Sequence, residues 1–439
     1  MIDEEINSEK SRLRTLLMRT DDISIADADK KLDSSSLSIH VAPGVLGTPA
    51  GEAALITAIL LGARCFGKVL VSGDIDHDIS AAKLPIGRSV SAVMAAVGAT
   101  VEKEPSCRTV AIGALESNTS GLPLVVAGWD GWRAFAAPGK STCTLGDGSN
   151  PLAGIAAAAM ALGSAFMSEL GDPNAGRRIQ EISLWTPGAA PPDSAEPASY
   201  NLPHALWLIG LGNLGQAYLW CLSWLQYADP GKLHLTLQDF DKVSKENWGT
   251  SILVERGRYG MLKTRAAEDW ALFKGFRVSR IDRPMDENLH RNPTDPGIAL
   301  VGLDKIAARR ALGAPGFKHI IDAGLGSTLR NFRDFRITVF GKGDDPKAHF
   351  FGVKDRDREN LESVLGLPSY KKLLEQSEDG KCGALILAGQ PIVLPFISAL
   401  TAALAVAQAI RLESGYEPCK AIVGRMDDLR SLRTMRPER

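Results

Sequence analysis

Nine polar and glycine positions from Gly210 to Asp304 carry the chemistry that this sequence suggests most directly. Gly210, Gly212 and Gly215 form a G-x-G-x-x-G run, with Asn213 inside it, directly after the apolar stretch ALWLI and directly before a helical pattern. In that order the first glycine permits a tight turn, the second lets backbone approach a phosphate, and the third lets helix and strand pack closely. The helix start then offers free N–H groups and a partial positive charge to an anion. A second strand, KLHLTLQDFD, ends in Asp239 and Asp241, where a carboxylate accepts hydrogen bonds from ribose hydroxyls. Asn247 and Lys263 follow within reach of the same crevice. By itself the glycine loop suits a nicotinamide, a flavin or an ATP site.

The continuation narrows this choice. The turn D-x-D-x-V-x-x-x-N from Asp239 to Asn247, the lysine at 263, VGLD ending at Asp304 and IIDAGLGS after it resemble the ThiF/MoeB/HesA superfamily of ubiquitin-activating-type adenylating enzymes. The resemblance runs from about Leu206 to Ser414. It implies ATP and Mg2+ as cofactors, with Asp239 on the ribose, Asn247 and Lys263 facing the phosphates, and Asp304 as the magnesium ligand. Family members usually carry an arginine three residues after the asparagine, where this chain has Thr250, so Arg256, Arg258 or an arginine from elsewhere has to supply that charge. A cysteine ahead of the last apolar helix takes the activated acyl group in the family, and Cys382 matches it by context, with Lys381 adjacent to lower its pKa.

The resemblance further implies a ubiquitin-like protein as the substrate whose C-terminal tail is activated, and a conjugating enzyme as the acceptor. The paired halves and the lack of a zinc motif are similar to activating enzymes of bacterial ubiquitin-like conjugation operons linked to phage defence. Three other readings stay open. A sulfur-carrier adenylyltransferase for thiamin or molybdopterin synthesis would lack the acyl transfer to a conjugating protein. An NAD-dependent oxidoreductase would leave Asn247, Lys263, Asp304 and Cys382 without roles, and a binding module would have lost the chemistry.

What positions these residues is an α/β architecture. LSIHVAPGVLGTPAGEAALITAILL in the first half lies beside LPHALWLIGLGNLGQAYLWCLSWL in the second, TVAIGALE beside IALVGLD, and one Ala-rich helical segment beside another. This faint repeat, with a period of about two hundred residues, predicts two Rossmann-like halves packed as a pseudo-dimer, the N-terminal one inactive and the C-terminal one adenylating. The first half has Gly44, Gly47 and Gly51 without a G-x-G, and Glu116 where the second has Asp304. The expected divisions are 1–185, a Pro- and Ala-rich linker at 186–203, and 204–439.

At the start of the chain, Leu13, Leu16 and Leu17 predict an amphipathic helix whose Arg12, Arg14 and Arg19 form a solvated basic face. The alternative is that one of them reaches the nucleotide site of the other half. Residues 341–381 read as a mobile crossing loop with a short helix near 362–376, followed by Cys382 and a buried apolar helix over 392–410. Cys65 and Cys221 read as core, and Cys107, Cys143 and Cys419 have no assigned role.

With 439 residues the chain can build two or three cores. A formal net charge of −1 supplies no general attraction to nucleic acid or anionic membranes. Six cysteines without C-x-x-C, and seven scattered histidines, predict neither structural zinc nor a disulfide framework, and fit a reducing cytoplasm. The polar start MIDEEINSEK does not read as a signal peptide. A homodimer is neither required nor excluded.

Overall fold

The computed structural model describes residues 8–113, 124–141, 144–189, 196–197, 199–353, 361–376 and 378–435, with only the backbone of 376 and 378–382. Each half builds one sheet. In the first, β1 (Ser36–Val41), β2 (Lys68–Gly73), β3 (Thr100–Val101), β4 (Thr109–Ile112), β5 (Val125–Asp130), β6 (Arg133–Pro138) and β7 (Gln180–Ser183) are ordered 3-2-1-4-5-6-7. In the second, β8 (Ala205–Ile209), β9 (His234–Gln238), β10 (Arg277–Ile281), β11 (Ile298–Val301), β12 (His319–Leu325), β13 (Asp334–Phe340), β14 (Ala421–Arg425) and β15 (Asp428–Met435) are ordered 10-9-8-11-12-13-14-15.

The two orders superpose strand for strand, with one additional edge strand in the second. Strand direction agrees as well: four parallel pairings around β1 and around β8 give way to antiparallel pairing at β5–β6 and at β12–β13. The faint sequence repeat is therefore a duplicated fold, and the α/β pseudo-dimer expected from it is present.

Four apolar helices lie between the sheets. They are α3 (Pro49–Cys65) and α5 (Pro151–Glu169) from the first half, and α6 (Asn213–Trp224) and α13 (Pro395–Glu413) from the second. Nearly every residue on them is buried, which explains why their composition is apolar all round rather than striped. α5 and α13 are long and apolar enough to cross a membrane, yet their apolar surface is spent in this core. Pro49, Pro151 and Pro395 each open their helix with φ already set. The indole N–H of Trp220 donates to Thr57 Oγ1 at 2.9 Å, pinning the halves across the core.

Two sequence expectations need correction here. In 341–381 the helix expected near 362–376 is present as α10 (Leu361–Leu365) and α11 (Pro368–Gln376), but the flanks are not only loop, since α9 (Pro346–His349) and the start of α12 (Glu378–Gly389) lie there as well. Cys382 therefore lies within α12 and not in a loop ahead of the last helix, because the apolar run ALILAG extends helical periodicity back through it. The side chain of Cys382 lies outside the described residues, as do Glu116 and Cys143.

Candidate functional site

The chain leaves β8 in one direction toward β9 and β10, and returns on the other side through β11 and β12. Open parallel sheets bind ligands at such a switch point, outside the carboxyl ends of the strands. A cavity of about 720 Å³ lies there. It is lined by Gly210, Gly212 and Asn213 after β8, Asp239 and Asp241 after β9, Asn247, Lys263, and Asp304 after β11. Gly215, the third glycine of the loop, is not in its wall.

Gly215 sits beneath the loop. Gly210 has φ of +83°, and a Cβ on Gly215 would lie 2.0 Å from the Gly210 carbonyl oxygen, so neither position admits a side chain without rearrangement. The loop is also tied to the second strand. Asp239, nearly buried, accepts the Leu211 N–H on Oδ2 at 2.6 Å and the Asp241 N–H on Oδ1 at 2.8 Å. One carboxylate thus fixes both walls of the crevice, with lone pairs remaining for a ligand. Asn213 Oδ1 accepts the Ser251 hydroxyl at 2.8 Å, linking the loop to the turn beyond Asn247.

In that turn the Asn247 side-chain oxygen accepts the Ser244 N–H at 2.9 Å, which leaves its NH2 as the group able to donate outward. α7 (Lys263–Phe273) begins with Lys263, whose Nζ is 2.9 Å from Asp241 Oδ2. This cation is held at the cavity wall by a half-exposed acid. Asp304 is exposed and bonds to no described side chain. It does not cap the following helix α8 (Ile306–Arg310), whose N-cap is Lys305. Among the described residues no group of three or more His, Cys, Asp or Glu side chains is placed to hold a metal alone. A single carboxylate in the wall of this cavity suits Mg2+, which is commonly bound by one or two carboxylates plus substrate phosphates.

Cationic groups at this cavity depart from the sequence expectation. α1 (Ser11–Asp21), from the start of the chain, does not present a solvated basic face. Arg14 is buried against Asp29 at 2.7 Å, and Arg19 is buried against the carbonyls of Leu387, Ala388 and Gln390. Arg12 reaches the cavity of the other half, where its Nη2 lies 2.7 Å from Glu246 Oε2 and its buried Nη1 has no hydrogen-bond partner among the described residues. Burial pushes this guanidinium's pKa down, and Glu246 counters that. Leu13, Leu16 and Leu17 pack on the core, which turns the arginines inward between the halves.

Arg256 and Arg258, the local candidates for the missing charge, do not line the cavity. Arg256 binds Glu9, and Arg258 binds Asp269 at 2.7 Å. Thr250, at the position of the missing arginine, is a buried part of the cavity wall. Sequence reasoning missed Arg309. Buried in the wall, it donates to the Leu303 carbonyl from Nε at 3.0 Å and Nη2 at 2.6 Å, and to Asp322 Oδ2 from Nη1 at 3.2 Å. It thereby fixes the backbone immediately before Asp304. Within the pair Arg309–Arg310 nothing in the sequence marks one as buried.

The equivalent place in the first half is organised differently. Glu52 holds the position along α3 that Gln216 holds along α6. Its buried carboxylate accepts the Ser80 N–H and hydroxyl, the Ala81 N–H at 2.7 Å and a His77 ring contact at 3.2 Å. The Gly44 N–H is turned to Asp74 at 3.3 Å. These groups bond to one another in the loops that in the second half surround the cavity.

A sequence model of the BilD C-terminal domain matches residues 202–416, and one of the BilD N-terminal domain matches residues 36–184. The bacterial E1-like protein BilD of Collimonas sp. (strain OK412) is 34% identical over 402 residues, spanning 90% of this chain and 86% of that protein. Among solved structures, E. coli MccB is 15% identical, covering 72% of this chain and 93% of its own, at a TM-score of 0.38. E. coli MccB with ATP is 14% identical, covering 54% and 64%, at a TM-score of 0.36. At such TM-scores the likeness carries no argument.

Proposed function

The chain belongs to the BilD family of bacterial E1-like proteins, and from that premise we propose that it activates the C-terminal carboxylate of a ubiquitin-like protein with ATP. The observation that carries the proposal is the convergence of Asp239, Asn247, Lys263 and Asp304 on one cavity with Arg12 of the other half.

In this reading the carrier's carboxylate oxygen attacks the α-phosphorus of ATP and the bond to pyrophosphate breaks, giving an acyl-adenylate. Both reactants are anions, so the protein's contribution is alignment and charge neutralisation. Asp239 would hold the ribose, and the Gly210–Gly215 loop would present backbone N–H groups. Lys263, released from Asp241, and the Asn247 NH2 would hold the phosphates. Arg12 would supply the positive charge absent at Thr250. A magnesium ion held by Asp304 would neutralise phosphate charge. The Cys382 thiolate would then attack the acyl carbon, releasing AMP and forming a thioester for transfer to a conjugating enzyme. A setting in a bacterial conjugation operon, a part in phage defence and a cytoplasmic location belong to the same proposal.

The test is a non-reducing gel after incubation with Mg-ATP and a ubiquitin-like protein that ends in a free carboxylate. An ATP-dependent, reducible adduct that is lost in Cys382→Ala is expected. Pyrophosphate release without any adduct would instead identify a carrier adenylyltransferase. Absence of both signals from folded protein would refute the reading.

A further inference from the structure

We propose that Arg64, which belongs to the half without a phosphate loop, is a positioning residue for the nucleotide site of the other half. The inference rests on the reading above and makes the first half a working part of the site rather than an inert copy.

Arg64 lies in the last turn of α3 and is 3% exposed. Its Nη2 donates across the boundary between the halves to the carbonyls of Ile252 at 3.0 Å and Val254 at 2.9 Å. Its guanidinium lies 4.6 Å from the centroid of the Trp248 ring, and that of Arg256 lies 4.6 Å from the same ring. Arg256 is in turn held by Glu9 of the first half, through Nε at 2.8 Å and Nη2 at 2.9 Å, and the Tyr259 hydroxyl donates to Glu9 at 2.7 Å. The next residue, Gly249, packs so closely that a Cβ there would lie 2.3 Å from the Glu9 carbonyl oxygen.

Trp248 and Gly249 are the two residues between Asn247 and Thr250, both of which line the cavity. One side of the turn faces the nucleotide site, and the other is gripped by Arg64 and Glu9. Ser251, bonded to Asn213, carries the grip on to the glycine loop. A buried guanidinium matched to neutral carbonyls is a costly way to fill a core. A guanidinium whose Nη2 bridges two carbonyls while its plane lies over an indole, however, fixes geometry that a flexible apolar chain would not.

The experiment is calorimetric titration of Mg-ATP into wild type, Arg64→Lys, Arg64→Met and Arg256→Gln, with melting curves and steady-state kinetics alongside. The Arg64 variants are expected to bind ATP about tenfold more weakly. KM for ATP should rise accordingly, while kcat at saturating ATP stays within about twofold, the pattern of lost ground-state positioning. Arg256→Gln alters a side chain that is 57% exposed, so its fold is safe, and it should shift affinity in the same direction. Folded variants with wild-type affinity for ATP would overturn the inference, and if both Arg64 variants fail to fold, Arg256→Gln decides it. A wild-type protein that does not bind ATP would instead bring down the functional reading itself.

Discussion

Arg12 Nη2, in the first helix of the chain, lies 2.7 Å from Glu246 Oε2, one residue before Asn247 in the second half. The cavity therefore draws its arginine from the same chain that builds its glycine loop. Arg12→Ala should lower ATP–pyrophosphate exchange by about a hundredfold, the scale for removing one preorganised charge contact. Mixing Arg12→Ala with Asp304→Ala protein should restore nothing, since each chain completes its own site. Recovery of exchange on mixing would show that the arginine acts between chains.

Lys263 and Asp241 make a separable pair. Lys263→Ala should reduce exchange by about a hundredfold. Asp241→Asn frees the lysine without removing it and should change exchange by less than about tenfold. Equal losses in the two variants would mean that the ion pair, and not the lysine's access to phosphate, is what matters.

Asp322 is fully buried, and its Oδ2 balances the buried Arg309 at 3.2 Å. Asp322→Ala leaves that guanidinium uncompensated and should destabilise the fold by about 3–5 kcal/mol in denaturant titrations. Arg310→Ala, next door but partly exposed and bonded to the Phe350 and Val353 carbonyls, should cost only about 1 kcal/mol. Similar costs for the two would contradict the assignment of Arg309 as the buried partner.

Glu9 gives a pH signature. Burial raises its pKa, but hydrogen bonds from Arg256 and Tyr259, with the charges of Arg256 and Arg64, outweigh burial and hold it below the ordinary 4.5. An acid depressed in the fold contributes stability above its unfolded pKa and loses it as pH falls through the folded one. Wild type should therefore melt above Glu9→Gln at neutral pH, with the gap closing as pH drops below 4.5. A gap independent of pH would separate Glu9 from the grip on Trp248.

The duplicated fold was legible because strand, glycine turn and helix recur in both halves, and because α5 and α13 share one composition. The cavity wall from Gly210 to Asp304 was legible because its members follow strand ends at short spacings. Arg12 was legible only as an alternative, since helical periodicity gives the buried side of α1 but not what that side meets. Arg309 and Arg64 were not legible at all. Arg64 bonds to backbone carbonyls of a distant segment, and a carbonyl leaves no mark in the sequence; Arg309 bonds to the Leu303 carbonyl and to Asp322, a pairing that no spacing signals. The helix around Cys382 was missed because the charged run before it reads as loop, whereas the apolar residues after it settle the conformation.

The most direct test is exchange of labelled pyrophosphate into ATP, with Mg2+ and a ubiquitin-like protein, by wild type, Asp304→Ala and Cys382→Ala. Wild type and Cys382→Ala should exchange, because the adenylate precedes the thioester, and Asp304→Ala should not. Exchange that persists in Asp304→Ala, or that is absent from folded wild type, would contradict adenylation at this cavity.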